Sequence, residues 1–437
     1  MKRINELDKI ILFGAGKGCI FHYFVRYYEN RIVFAVDNDP LKWKSLDGSL
    51  RICPPEEIQN YLGQDDVAIV VTTYKDWDSI ENQIKDYGWQ REIIIADRDL
   101  AEFKEIEFRL FAQGANPRNP EPQKCFVELS GICNCSCKYC CYHGIQNIKA
   151  GQKTLISWET LKRTVSQLER IPSLRVISNI GQGETFVHPE WFEMSRYMVE
   201  RLHCNQLSMY TNGMLLTREN VKKMMRLPIL KELTISIDGR TAQDNDHYRV
   251  GSQYKRIKEN LDVLKEEMGE GVKDLRVIIR NCYPITKNEF SKNGGVINPT
   301  FSVPIPDYLR NDFPDFEIVS SYAIVFTDVE HKAKSKGLKY YRAVMPRENR
   351  NCLSPFTDMA INNRGDLLRC ECGFAGMESF GNVYNDDIYE LWKTDGIMTR
   401  TRNSFLREDN DKPFCAGCPQ NGSEEYWLYA GDQGEEA

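Results

Sequence analysis

Three cysteines constrain this chain more than any other feature. Cys133, Cys137 and Cys140 fall in the run Gly131-Ile-Cys-Asn-Cys-Ser-Cys-Lys-Tyr-Cys-Cys-Tyr142 and read C-x3-C-x2-C. Three thiolates at that spacing on one tight loop can hold three irons of a [4Fe–4S] cube and leave the fourth iron open. The run Phe126-Val-Glu-Leu-Ser130 immediately before them reads as a strand feeding the loop. Zinc is the alternative. Cys137-x2-Cys140 matches half of a zinc ribbon, and Cys135 and Cys141 add thiols that can exchange ligation.

Composition narrows the setting. The 437 residues suggest about three domains at one per 150 residues. Apolar residues make up 41% and charged residues 27%, ordinary for a globular protein. A net charge of −6 gives no electrostatic reason to bind nucleic acid or an anionic membrane. Residues 1–9 are polar and charged, unlike a signal peptide, and no apolar run reaches the length of a membrane span. The 15 cysteines lie partly in close clusters, which without a secretion signal read as metal sites in a reducing cytoplasm.

Residues 9–97 alternate strand and helix. Strands are expected at 9–13, 31–36, 67–71 and 92–96, with helices after Gly18 and over 77–87. This pattern predicts a parallel, doubly wound, Rossmann-like sheet. Gly14-x-Gly16-x-Gly18 after the first strand suits a phosphate at a helix N-terminus, and Asp37, 23 residues after Gly14, stands where a ribose-binding acid belongs. Cys19 occupies the place of the third glycine, so a docking domain without nucleotide is the other reading. This domain is assigned to 1–111, and the proline-rich run 112–124 to a linker.

A second alternating series starts at 125. Strands are expected at 174–180, 206–210, 232–237, 275–280 and near 317–326. Helices are expected around 189–202, 217–226 and 255–268, and from Ser157, a good N-cap, with the apolar stripe Trp158, Leu161, Val165 and Leu168. Six such units make a partial, open (β/α)6 barrel, assigned to 125–345, with reactive groups at the strand C-termini. Three strands end in Gly181-Gln-Gly-Glu184, Tyr210-Thr-Asn-Gly213 and Ser236-Ile-Asp-Gly239. Such ends also read as plain turns. Residues 282–316, with five prolines and Gly294-Gly295, break the alternation as a lid or a surface insertion. Beyond them stand Cys352, Gly365 and Cys370, then Cys415-Ala-Gly-Cys418, assigned to a domain at 346–420. An acidic tail, 421–437, follows.

This ordered set resembles the radical S-adenosylmethionine (radical SAM) enzymes, over about residues 121–420. The resemblance implies a [4Fe–4S] cluster on Cys133, Cys137 and Cys140, with Tyr139 as the aromatic of the signature. It implies that Gly183 and Glu184 lie in the segment that holds the SAM amino group, although Gln182 and Thr185 replace a glycine and a proline there. Ser236 and Asp238 are then placed for the SAM ribose, and Arg249 for its carboxylate. Cys352, Cys370, Cys415 and Cys418 are similar to the SPASM/twitch auxiliary domain, with Cys372 left over. With no cysteine beyond Cys418, the short twitch form and a second [4Fe–4S] cluster are implied. A zinc site from the same four cysteines is the alternative.

The resemblance implies hydrogen abstraction from carbon by a 5′-deoxyadenosyl radical. A closed four-cysteine cluster favours electron transfer, and hence oxidation of an alcohol. The expected substrate is a small molecule, a sugar or nucleotide-linked sugar, and the expected electron donor a flavodoxin or ferredoxin. Cys282, just past a strand end, is a candidate hydrogen donor for epimerisation, or a small buried cysteine. Modification of a ribosomal peptide and a metal-stabilised scaffold are the remaining alternatives.

Overall fold

The computed structural model describes residues 7–15, 21, 24–25, 28–43, 50–73, 77–99, 115–116, 119–140, 142–144, 153–269, 275–297, 303–325, 339–344, 352–371, 379–407 and 425–430. The chain divides into two compact units, Met1–Pro120 and Glu121–Ala437.

The first unit is a parallel sheet of β1 (Lys9–Phe13), β2 (Ile32–Val36), β3 (Ile52–Cys53), β4 (Val67–Val71) and β5 (Ile93–Ile95). Its order is β3-β2-β1-β4-β5, so the chain reverses direction across β1 and β4, which opens a crevice at their C-terminal ends. Alternation along β1 explains why both faces are covered. Ile10 and Leu12 enter one core with Phe21 and Phe24. Ile11 and Phe13 enter another with Ile80, Ile84 and Trp89. The short strand β3 was not expected from the sequence, and most of the helix expected after Gly18 lies outside the described residues.

The second unit is built on one nine-stranded sheet. Its strands β6 (Lys124–Val127), β7 (Val176–Asn179), β8 (Gln206–Thr211), β9 (Leu230–Ser236), β10 (Arg276–Tyr283) and β11 (Glu317–Tyr322) are parallel, each beside its predecessor in sequence. Helices Trp158–Leu168, Trp191–Arg201, Arg218–Met224 and Tyr254–Met268 lie between successive strands. Leu161, Val165 and Leu168 join Val127, Ile177, Met209 and Ile235 in one core. The first helix starts where expected, the Ser157 hydroxyl accepting from the Thr160 amide.

Three features depart from the sequence-based expectations or add to them. First, β12 (Ile324–Val325) is not a continuation of β11, and residues 282–316 are not one irregular loop. β10 runs on to Tyr283, and short helices follow at Lys287–Lys292, started by a Thr286/Glu289 capping box, and at Asp307–Asp312 after Pro306. Second, after β13 (Tyr340–Val344) come the hairpin strands β14 (Asp358–Ile361), β15 (Asp366–Leu368) and β16 (Gly381–Asn382), which were not expected from the sequence. β14 pairs parallel to β6 on its open side, extending the barrel sheet. Third, the acidic tail contains β17 (Glu425–Tyr429), which pairs antiparallel to β12 and β13. Leu428 and Tyr429 are fully buried. No described helix is long and apolar enough to cross a membrane.

Candidate functional site

The cysteine loop leaves the C-terminal end of β6 and is fixed by backbone bonds on two sides. Ser136 N–H donates to Val250 O at 2.7 Å and Lys138 N–H to Tyr248 O at 2.8 Å. Gly183 N–H donates to Ser130 O at 3.1 Å and Glu184 N–H to Ile132 O at 2.9 Å. Gly183 is required by this approach, because a Cβ there would overlap the backbone of Ser130 and Ile132. Amides already point at two of the sulfurs. The Cys135 N–H lies 3.4 Å from Cys133 Sγ, and the Tyr142 and His143 N–H groups lie 3.4 and 3.3 Å from Cys140 Sγ. Burial pushes the Cys137 thiol up to about 12, and the hydrogen bond with Cys135, followed by burial, raises that of Cys133. Among the described residues no three His, Cys, Asp or Glu side chains converge on one ion.

The strand ends gather around this loop. Glu184 is buried, and burial raises its pKa. Its Oε1 accepts from the Thr211 hydroxyl and its Oε2 from the Asn212 N–H, both at 2.8 Å. Asn212 Nδ2 also donates to Asn134 Oδ1 at 2.7 Å, so Tyr210-Thr-Asn-Gly213 braces both the glutamate and the loop. Asp238 receives Arg249 Nη1 at 2.7 Å, with both side chains almost wholly buried. The Asp238 N–H is held by Asn245 Oδ1 at 3.1 Å. Ser236 pairs in register with Arg280, on the strand face opposite core residues Leu233 and Ile235.

Cys282 joins this group. It stands opposite Ser321 in register and is hydrogen-bonded to it; burial, with Asp238 nearby, holds its thiol well above the usual range. Tyr139 is near Asp238, Cys282, Arg249 and Cys137, and its ring lies 5.6 Å from Tyr429 and 6.1 Å from Tyr248. Tyr429 was missed in the sequence. The run Glu-Tyr-Trp-Leu-Tyr, rich in aromatic strand formers, was the available signal.

The site fits the groups its residues imply. Arg249 Nε and the Tyr139 hydroxyl are buried without hydrogen-bond partners. A buried guanidinium N–H calls for an anionic acceptor such as a carboxylate. Three thiols on a braced loop, with amides aimed at the sulfur atoms, suit an iron–sulfur cube.

The other predicted residues lie elsewhere. Cys370 follows β15, whose Leu368 pairs with Ala360 and thereby with Phe126. Cys352 precedes the short helix Ser354–Thr357 leading into β14. Both therefore lie toward the N-terminal end of β6, about 20 Å at 3.3 Å per residue from the end that carries the cysteine loop. Asp358, level with Lys124, and Glu371, next to Cys370, are half-buried at that N-terminal end and share a hydrogen bond. Burial raises both pKa values, Glu371 to about 7, with Lys124 and Arg280 close by. Cys372, Cys415 and Cys418 lie outside the described residues. In the first unit Gly14 N–H donates to Val36 O at 2.8 Å. Asp37 accepts from the Ala15 N–H at 2.7 Å, the Asp39 N–H at 2.9 Å and Lys42 Nζ at 2.9 Å, so its carboxylate already ties the glycine turn to β2. Gly16 lies outside the described residues.

A family model described as the radical SAM superfamily matches residues 127–281, and one described as a SPASM iron–sulfur cluster-binding domain matches residues 352–419. The chain is 24% identical over 326 residues to the AdoMet-dependent heme synthase of Methanosarcina barkeri, covering 67% of this chain and 89% of that protein. It is 29% identical over 153 residues to the mycofactocin maturase MftC of Mycobacterium tuberculosis, covering 35% and 37% respectively. Among solved structures, BtrN in complex with AdoMet and 2-DOIA matches with a TM-score of 0.42 and 14% identity, over 69% of this chain and 92% of that one.

Proposed function

This chain belongs to the radical SAM enzymes and carries a C-terminal SPASM iron–sulfur domain; from that premise we propose that it oxidises an alcohol carbon of a sugar or nucleotide-linked sugar. When bound, a [4Fe–4S] cluster on Cys133, Cys137 and Cys140 together with SAM supplies a 5′-deoxyadenosyl radical, and a second cluster supplies a one-electron acceptor.

The residues of the chain do the rest. Arg249, aligned by Asp238, offers its unpaired Nε to the SAM carboxylate. Glu184, locked by Thr211 and Asn212, fixes the segment that receives the amino group. Tyr139, Tyr248 and Tyr429 pack together and exclude water beside the cysteine loop. In the oxidation a carbinol carbon gives up a hydrogen atom, its hydroxyl gives up a proton, and the remaining electron leaves for the acceptor. One observation carries the reading. Cys352 and Cys370 lie at the opposite end of the same sheet from the Cys133 loop, with Lys124, Asp358 and Glu371 at that same end and Arg280 close to Glu371. A substrate held along the sheet between the two ends would have hydrogen abstraction at one and an electron outlet at the other. The doubly wound first unit is the reason to extend the substrate class to nucleotide-linked sugars.

A second reading is epimerisation, favoured by one observation: Cys282 stands on β10 opposite Ser321 and lies among Asp238 and Tyr139 at the strand ends, where a hydrogen donor would have to be. Both readings are tested by incubating the anaerobically reconstituted enzyme with SAM, reductant and nucleotide sugars in D2O. A product lighter by two hydrogens, with one 5′-deoxyadenosine per turnover, supports oxidation. A product of the original formula carrying one deuterium on carbon supports epimerisation. SAM cleavage with every sugar unchanged overturns the sugar assignment.

A further inference from the structure

Glu128 is a buried carboxylate that the reaction above does not use. It stands on the last turn of chain before the cysteine loop, and its two oxygens reach in different directions. Oε1 accepts from the backbone N–H of Gln182, inside the Gly181-Gln-Gly-Glu184 segment. Oε2 accepts from the backbone N–H of Asn363 at 3.1 Å, in the β14–β15 turn of the SPASM segment. The fit is tight, since a Cβ on Gly181 would overlap the Glu128 side chain. The Glu128 N–H in turn donates to Ile361 O at 3.0 Å.

The turn is tied down a second time. Asn363 Nδ2 donates to the Thr154 carbonyl and, at 3.0 Å, to the Thr154 hydroxyl. The same Thr154 carbonyl accepts from the Gly131 N–H at 2.8 Å, where the cysteine loop begins. The turn itself is rigid. Asn362 Oδ1 accepts from the Arg364 and Asp366 N–H groups at 2.9 and 3.0 Å, and Gly365 takes a φ of +80° that other residues rarely adopt. One carboxylate and one amide therefore join three segments distant in sequence: the cysteine loop, the segment that receives the SAM amino group, and the turn between Cys352 and Cys370.

We propose that Glu128 and Asn363 are positioning residues through which the β14–β15 turn of the SPASM segment sets the SAM-binding geometry beside the cysteine loop. They touch neither SAM nor substrate; they hold the backbone of residues 131 and 182 where those loops must sit. Charge-assisted bonds from two amides to one buried carboxylate are strong enough for loss of either end to be felt at the other. The inference rests on SAM binding beside the Cys133 loop and is independent of the sugar assignment.

The test measures SAM affinity in reconstituted holoenzyme by equilibrium dialysis, with the electron paramagnetic resonance change of the reduced cluster on SAM addition as a second readout. Glu128→Ala and Asn363→Ala are each expected to weaken SAM binding by about tenfold with the full iron content retained. Asn363→Ala keeps the backbone N–H that Glu128 accepts from and removes only the tie to Thr154, so the double variant, with both ties gone, is expected to be worse than either single one. Met398→Ala, a core truncation in the helix Gly396–Arg407, serves as a control that lowers the melting temperature and leaves SAM affinity unchanged. Asn363→Asp, which keeps an oxygen but loses the amide donor to Thr154, replaces Asn363→Ala if that variant fails to fold. SAM affinity and spectrum unchanged in both single variants, or a double variant that binds SAM as the parent does, would overturn the proposal. Failure of every sugar to react would leave it standing.

Discussion

Replacing Asp238 by asparagine is the sharpest perturbation of the site. The Arg249 guanidinium is nearly buried, its Nη1 2.7 Å from Asp238 Oδ2, while its Nε has no partner. Removing the partner of a buried charge costs about 3–5 kcal/mol, because the surviving charge stays desolvated. Asparagine keeps the shape and one acceptor oxygen, so the lower end, about 3 kcal/mol, is expected. In a domain of this size that lowers the melting temperature by roughly 5 °C. The loss also reaches the ligand: an Arg249 no longer held by Asp238 must be reoriented when SAM binds. A SAM affinity at least tenfold weaker is expected, about 1.4 kcal/mol of the total. Differential scanning fluorimetry and equilibrium dialysis under anaerobic conditions measure the two effects. Arg249→Lys should weaken SAM binding similarly, since a lysine has no planar fork to serve Asp238 and a carboxylate together. A melting temperature and a SAM affinity both unchanged in Asp238→Asn would refute the reasoning.

Other expectations follow from single contacts. Glu128 is pushed up to about 7 by burial, against the downward pull of the Gln182 and Asn363 amides. A raised carboxyl pKa means that stability is greatest below about 4.5 and falls as pH rises through 7, by about 3 kcal/mol for this group. The melting temperature of Glu128→Gln should therefore decline less than that of the parent between pH 5.5 and 7.5, and parallel declines would contradict the assignment. Gly183→Ala should force the Gly181–Glu184 segment off the cysteine loop, costing about 1–3 kcal/mol and weakening SAM binding, as dialysis will show. Cys282→Ala should leave a dehydrogenation running within a few-fold of the parent rate. Its loss of product, scored by mass spectrometry, would favour the epimerase reading.

Much of the fold was legible because local signals agreed with one another. The strands before Gly181, Asn212 and Asp238 are short apolar runs that stop at turn-forming residues, and the helices between them carry stripes at helical spacing. The Cys133 loop, Glu184, Asp238, Arg249 and Cys282 were found from order along the chain, and the strand C-termini bring them together. The missing parts depend on partners far away in sequence. β14 reads locally as a modest strand, and nothing in it says that it pairs with β6, some 230 residues earlier. Glu128 looked like an ordinary strand residue because its role lies in amides at 182 and 363. β17 was hidden by the acidic residues around it, though its aromatic run signalled a strand. At the Gly14 turn the spacing named Gly14 and Asp37, and the bond from the Ala15 amide to Asp37 that joins the turn to β2 depends on residues 22 apart.

The central claim is that the Cys133 loop and the strand ends around it form a centre for reductive SAM cleavage. The most direct test is to quantify 5′-deoxyadenosine made from SAM and a strong reductant by the anaerobically reconstituted protein, alongside a variant with Cys133, Cys137 and Cys140 all changed to alanine. The account predicts 5′-deoxyadenosine from the parent and none from the variant. A parent protein with its full iron content and no 5′-deoxyadenosine, or a variant that makes as much as the parent, would contradict it.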